Sequence, residues 1–239
     1  MAVVDKIPSL KLDRYRQSAP QVFEALRDLI ISLELEPGTV LPRAELAEHY
    51  KLSQTPIRDA LMRLADDGLV EIYPQHATVV SRIDITSALE VHFLRRSIEL
   101  EILKTCCKLP AAEHADLIRQ LKMHLETQLS CLAPLDYSKF AQADQSFHKE
   151  MYQAAKVSKL WDLVCQQSGQ IDRLRRLNLP AQGKTQAIVK DHQAILDALI
   201  NKDEKAAEAA LRQHLSGTLS FVKEIRQHYP DWITEESSE

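Results

Sequence analysis

Glycine is scarce in this chain, five residues in 239, and that excludes a collagenous or glycine-linker protein. No G-x-G-x-x-G or G-K-[ST] string occurs, which argues against the commonest phosphate-cradling loops. Aromatic residues make up only 5%. No stretch approaches the roughly 20 uninterrupted apolar residues of a membrane span, and the start MAVVDKIPSLKLDRYR lacks a signal peptide's apolar segment. A cytosolic protein without a membrane partner is expected. The four cysteines, Cys106, Cys107, Cys131 and Cys165, form no C-x-x-C pair and no disulfide-framework spacing, as in a reducing compartment. They read as small buried apolar groups. Positive charge is not in excess either: 30 Lys and Arg face 34 Asp and Glu, a net charge of −4, and residues 1–83 hold ten against twelve. Any contact with nucleic acid must therefore come from a few clustered cations rather than from a basic domain.

What is present is an ordinary globular composition, 45% hydrophobic and 27% charged, in a chain with room for two domains at about 150 residues each. The pattern changes near residue 83. Before it come an amphipathic run at 20–34, the turn Glu36-Pro37-Gly38-Thr39, and helical patterns at 43–50 and 54–67. Two β-branched runs follow, Leu69 to Tyr73 and Ala77 to Val80, separated by Pro74-Gln75-His76 and read as a hairpin. From 84 to about 228 only helical periodicity is found, predicting helices over 85–108, 111–132, 136–155, 158–177, 185–201 and 203–228. Pro110, Pro134 and the 180–183 loop break them, and Asp203 can cap the last. The expected fold is mainly α: a domain of short helices and one hairpin at 1–83, an antiparallel all-α bundle at 84–233, and a polar tail at 234–239.

The segment Arg43 to Leu69 has the shape of a helix-turn-helix. Leu46, Ala47 and Tyr50 face Ile57, Leu61 and Leu64 across a turn at Lys51-Leu52-Ser53, Ser53 or Thr55 can cap the second helix, and Pro56 sits in its first turn. Gln54, Thr55 and Arg58 are then left at the exposed tip. Gln54 and Arg58 lie four apart on one face, and their side chains suit adenine and guanine edges. Arg43 and Arg63 can hold phosphates, and the hairpin becomes a wing that places His76 at the backbone or minor groove. The strings Pro37-Gly38, Glu45-Leu46-Ala47-Glu48, Ser53 through Leu61, Arg63-Leu64 and Asp67-Gly68-Leu69-Val70 resemble the winged helix-turn-helix of GntR-type bacterial transcription regulators. Three positions depart from that family. Lys51-Leu52-Ser53-Gln54-Thr55-Pro56 replaces the usual Gly-Val-Ser-Arg-Thr-Pro, so Gln54 stands where relatives carry a DNA-contacting arginine. His76 stands at a usual glycine, and Ala44 at a position that is arginine in some relatives.

In the helical half, Asp144 and His148 lie four apart on one helix face, while His192 and His214 fall on the last two helices, joined by the short Asn201-Lys202-Asp203 connection. One Asp and three His suit zinc, nickel or manganese better than calcium or magnesium; the other reading is an exposed pair and two isolated histidines. Leu94-Arg95-Arg96-Ser97-Ile98-Glu99, the Asp144 to His148 string, and Asp203 followed by Ala207, Ala210 and His214 resemble the FCD domain, the effector-binding module of one GntR subfamily. That resemblance implies a divalent metal, zinc first among candidates, held by Asp144, His148, His192 and His214. It also implies a small organic or sugar acid whose carboxylate reaches the metal and Arg95. Arg95 has an alternative partner in Glu99. Arg173, Arg175 and Arg176 read mostly as a solvated face, with Arg173 as a candidate second effector contact. The expectation is a homodimeric, ligand-controlled regulator of double-stranded operator DNA, a repressor and not an enzyme. Weighed beside it are a metal- or redox-responsive regulator, the latter using Cys106 and Cys107, and a metal-dependent hydrolase, for which no H-E-x-x-H or Ser/His/Asp set is present.

Overall fold

Apolar positions recurring at three- and four-residue spacing become helices, and the β-branched runs become the one hairpin, in a computed structural model that describes residues 4, 7–9, 11–217 and 221–234. The fold is mostly α, with an N-terminal helix–hairpin unit followed by an all-helical bundle. Two compact units are present. The first comprises Met1–Ala88, Gln167–Arg176 and the stretch from Glu224 onward; the second comprises Leu89–Gln166 and Leu177–Lys223.

The first unit is built on α1 (Ser18–Ile31), α2 (Arg43–Tyr50), α3 (Gln54–Asp66), β1 (Val70–Tyr73) and β2 (Ala77–Val80). Val22, Leu26 and Ile30 of α1 meet Leu46 of α2 and Ile57, Leu61 and Leu64 of α3 in one buried cluster. Both ends of the α2–α3 pair stop on left-handed residues. After α3, Gly68 (φ +67°) donates to the Ala65 carbonyl and Leu69 to the Leu64 carbonyl, while the Leu69 side chain is fully buried. This doubly bonded cap turns the chain into β1. After α2 the same pattern falls on Lys51 (φ 55°), with Lys51 N to Glu48 O and Leu52 N to Ala47 O. Lys51 carries a Cβ in a region that glycine tolerates better. β1 and β2 pair antiparallel with Val70 opposite Val80 and Tyr73 opposite Ala77.

The later segments of this unit hold the hairpin's exit. The Gln170 amide donates to Gly68 O (2.8 Å) and accepts from Asp84 N (3.0 Å). Fully buried Arg173 donates to Ser81 O (2.7 Å), Ser81 Oγ (3.2 Å), Arg82 O (3.3 Å) and Gln170 Oε1 (2.5 Å). Burial draws its guanidinium down to about 10. Ile83 pairs in parallel with Ile233, through Ile83 N to Trp232 O and Thr234 N to Ile83 O.

The second unit contains most of α4 (Ile85–Cys107), then α5 (Ala111–Ser130), α6 (Tyr137–Ala154), α7 (Ser158–Gln167), α9 (Lys184–Ile200) and α10 (Glu204–Ser216). Leu103, Leu121, Phe147, Met151, Tyr152, Ile195, Leu199, Ala207 and Leu211 form its core. Asp136 and Asp203 cap α6 and α10 by accepting from Lys139 N and Ala206 N, each at 3.0 Å, satisfying backbone donors that the first turn of a helix leaves unpaired.

Two expected helices are each divided. The run 158–177 breaks at Ser168 into α7 and α8 (Gly169–Asn178). A Cβ at Gly169 would lie 2.8 Å from Leu69 Cδ2, so the backbone comes to Leu69 at a distance only glycine permits. Gly169→Ala is expected to destabilise the protein: overpacking a filled core costs about 1–3 kcal/mol, more than the gain of at most about 1 kcal/mol from replacing a helical glycine. A lowered thermal midpoint checks this. The run 203–228 ends as α10 at Ser216, before Gly217, and resumes as α11 (Val222–His228); residues 218–220 and, in the polar tail, 235–239 lie outside the described residues. Ser53 occupies the α3 N-cap position with extended backbone, but its side chain makes no capping bond. The boundary read at 83 compares with a first unit that runs to Ala88 and includes Gln167–Arg176 and the chain from Glu224; of these, 84–88, 167–176 and 224–233 fall in the expected helical half and the rest in the expected tail.

Candidate metal centre and nucleic-acid interface

Four side chains separated by up to 70 positions meet inside the second unit. Asp144 and His148 come from successive turns of α6, His192 from α9 and His214 from α10. One ligand atom from each lies within 4.8 Å of all the others. His148 Nε2 is 3.1 Å from His214 Nε2, His192 Nε2 is 3.3 Å from His214 Nε2, and His192 Nε2 is 3.5 Å from Asp144 Oδ1. The three histidines are buried, while the Asp144 side chain keeps 17% of its exposure. The Phe147 ring stacks on His192 at 4.2 Å and 5°, fixing the ring plane.

The outer nitrogens decide what the inner ones can do. His148 Nδ1 lies 2.9 Å from Glu99 Oε2 and His192 Nδ1 lies 2.7 Å from Gln128 Oε1. Both partners are acceptors, so both Nδ1 atoms carry the proton and donate it, which leaves bare lone pairs on the two Nε2 atoms. His214 Nε2 faces both and has at most one proton to offer, and the Asp144 carboxylate adds a fourth acceptor. Lone pairs aimed at a common centre are the electrostatic complement of a cation. A tetrahedral ion at bond lengths of about 2.0–2.1 Å separates its ligands by roughly 3.3–3.4 Å, close to the three spacings of 3.1, 3.3 and 3.5 Å. Burial drives the His192 imidazole down to about 3, keeping it neutral as a ligand must be. The donor set therefore fits a divalent metal.

Beside the cluster, Arg95 Nε donates to Glu99 Oε1 at 2.5 Å. Burial opposes the charge of both, yet mutual attraction outweighs it: Arg95 is raised by Glu99 and Asp144, and Glu99 is held well below the usual carboxylate range by Arg95 and His148. Nη1 and Nη2 of Arg95 hydrogen-bond to no described residue, although the residue is only 4% exposed. The ion pair with Glu99 and a fork open to a ligand are thus compatible. Arg173 does not join this group; its guanidinium holds the Ser81–Arg82 backbone in the first unit. Arg175 pairs with Asp172 at 3.4 Å. Cys106 and Cys107 are buried, and burial pushes the Cys106 thiol up to about 12 and raises Cys107, which suits packing rather than redox chemistry.

The first unit exposes the other group. Gln54, Thr55 and Arg58 stand at the exposed start of α3, with Ile57 buried behind them. Arg58 lies 3.4 Å from the Asp59 carboxylate, both well exposed. Arg43 begins α2, exposed. Arg63 is exposed with its guanidinium 4.0 Å over the Phe23 ring, and His76 is exposed in the turn between β1 and β2. Sequence reasoning missed Gln128, which carries no spacing signal, and the second task of Glu99, visible only as the i+4 partner of Arg95.

Residues 18–80 match the family described as bacterial regulatory proteins, gntR family, and residues 90–217 match the FCD domain. Over 216 residues the chain is 32% identical to an HTH-type transcriptional regulator in an unstable DNA locus of Streptomyces ambofaciens, covering 90% of this chain and 89% of that protein. The HTH-type transcriptional repressor RspR of Escherichia coli K12 is 28% identical over 216 residues, covering 90% and 93%. The solved structure of E. coli McbR/YncC shares the fold, with a TM-score of 0.72 at 20% identity over 90% of this chain and 99% of that one. Among the described residues no helix is long and apolar enough to cross a membrane. With a gntR match followed by an FCD match and a relative 32% identical over nine-tenths of its length, this chain belongs to the GntR family of DNA-binding transcription regulators, a non-catalytic family, in its FCD branch.

Proposed function

We propose that the protein is a homodimeric repressor whose hold on operator DNA answers to a small organic acid bound at a zinc ion in the helical half. The observation that carries this reading is the convergence of one ligand atom each from Asp144, His148, His192 and His214, with Arg95 tied to the group through Glu99. Three imidazoles and one carboxylate suit zinc, with nickel and manganese as the other candidates. When bound, the cation supplies Lewis-acid coordination for one carboxylate oxygen. Arg95 then donates from Nη1 and Nη2 to the remaining oxygen, a fork well matched to a planar anion. Arg173 is not needed in this scheme, because its donors hold the Ser81–Arg82 backbone.

On the DNA side, residues 1–83 read the operator and residues 84–233 sense the effector. Gln54, Thr55 and Arg58 enter a major groove, Arg43 and Arg63 neutralise phosphates, and His76 at the wing touches the backbone or minor groove. The chain's charge of −4 leaves little non-specific attraction, so one winged unit binds weakly. Two copies joined as a dimer gain through effective concentration. Regulation requires the acid to bind more tightly to the dimer geometry that does not fit the operator. RspR, a repressor by name, supports the sign chosen here.

The test begins with elemental analysis of the purified protein and selection of genomic fragments by the metal-loaded form. A thermal-shift screen of organic acids follows, each hit being assayed for release of the selected fragment. Near-stoichiometric zinc, an enriched palindromic sequence and an acid that releases it are expected. Absence of fragment preference over random duplex would overturn the reading.

A further inference from the structure

Glu99 is fully buried and serves two donors at once: Oε2 accepts from His148 Nδ1 at 2.9 Å, and Oε1 accepts from Arg95 Nε at 2.5 Å, with the Tyr152 hydroxyl at 3.5 Å from the same oxygen. Both oxygens are occupied by groups that must donate. Arginine has no acceptor, so the oxygen facing Arg95 cannot be exchanged for an N–H. The oxygen facing His148 fixes the ring's proton on Nδ1 and its lone pair on Nε2, the atom 3.1 Å from His214 Nε2. We propose that Glu99, held in place by Arg95, is a positioning residue that sets the tautomer of His148 and thereby prepares it as a metal ligand. This inference rests on the metal-centre reading for its consequence, though not for its geometry.

An amide at this position makes the logic testable. Glutamine has one acceptor and one donor end. In Glu99→Gln the amide oxygen must face Arg95, which leaves the NH2 group facing His148. His148 Nδ1 then becomes the acceptor, and its proton moves to Nε2, into the place a cation would take. Removing Arg95's demand reverses this: in the double variant R95M/E99Q the amide oxygen can turn to His148 and accept from Nδ1, as Gln128 Oε1 does for His192 Nδ1 at 2.7 Å. A second substitution at the same site is thus predicted to restore what the first destroys. Simple packing damage would instead accumulate.

The experiment reads the tautomer directly, by two-bond nitrogen–proton correlation spectra of zinc-free full-length protein, and zinc affinity separately, by competition with a chromophoric chelator. The wild type is expected to show His148 protonated on Nδ1. E99Q should show it on Nε2 and bind zinc about 10–100-fold more weakly, the usual cost of losing a ligand's outer hydrogen bond. R95M/E99Q should return the proton to Nδ1 and recover at least half of the lost affinity on a logarithmic scale. An Nε2-protonated His148 in the wild type overturns the proposal without any variant, as does an unchanged tautomer in E99Q. If E99Q does not fold, a double variant with the proton on Nε2 overturns it. Should the wild type show the expected tautomer and yet bind no zinc, nickel or manganese, the metal-centre reading falls while the positioning role stands.

Discussion

Purified His192→Ala protein is expected to bind zinc about 100-fold more weakly than the parent, or worse. Structural zinc sites are worth about 10–16 kcal/mol in all, so one of four ligands accounts for about 3 kcal/mol, and 1.4 kcal/mol is a factor of ten. The same change should be visible as lost stabilisation. At a thousand-fold excess over the dissociation constant a ligand adds about 4 kcal/mol to a folded protein, so zinc should raise the parent's thermal midpoint clearly and the variant's hardly at all. Zinc-free parent and variant need not match, since His192 also stacks on Phe147 and holds Gln128. An unaltered zinc response would remove His192 from the ligand set. If operator affinity of the parent changes on zinc removal with no acid present, the metal itself is the signal.

Arg58→Ala should nearly abolish preference for the selected operator while leaving zinc content untouched. A bidentate contact to a base edge is worth about 1–3 kcal/mol. A dimer makes it twice, so the expected loss is about 2–6 kcal/mol, or roughly 30-fold to twenty-thousand-fold. Gel-shift titration against operator and random duplex checks it, because the loss should fall on the operator alone. Arg63→Ala should behave differently: its guanidinium lies over Phe23, and a phosphate contact carries no sequence information, so affinity for both duplexes should drop together and the salt dependence should weaken. Equal losses for both variants on both duplexes would mean that Arg58 positions the helix rather than reading bases.

The parts of this protein that local rules control were legible in the chain. The two helices around Lys51 to Ser53, the hairpin at Val70 to Val80, and the cap at Asp203 all follow from periodicity, β-branching and a short polar side chain at a helix start. Spacing alone left the four candidate ligands open to a second reading, an exposed pair and two isolated histidines, and it was the resemblance to the FCD domain that joined them in one set. The breaks at Ser168 and Gly217 were not legible. Just after the first, Leu69, a hundred positions away, packs against the Gly169 backbone, and no window around 168 contains that neighbour. Arg173 reads as one more cation in the run Arg173-Leu174-Arg175-Arg176, and only the folded chain shows that, of the three arginines, it is the one fully buried. Gln128 and Glu99 escaped for the same reason: a hydrogen bond to a histidine on another helix has no spacing by which to recognise it.

The way Gln170 and Arg173 close over the hairpin's exit bears on how the molecule can be cut. A fragment ending at residue 83 would keep every side chain proposed to touch the double helix and still be an unfinished body. The carbonyls of Ser81 and Arg82 would lose their Arg173 donors, Gly68 would keep the Ser81 hydroxyl but lose the Gln170 amide, Leu69 would lose its glycine wall, and Ile83 its neighbour Ile233. The reading head is stitched from three separated stretches of gene, so excising it at an apparent linker removes part of its own foundation.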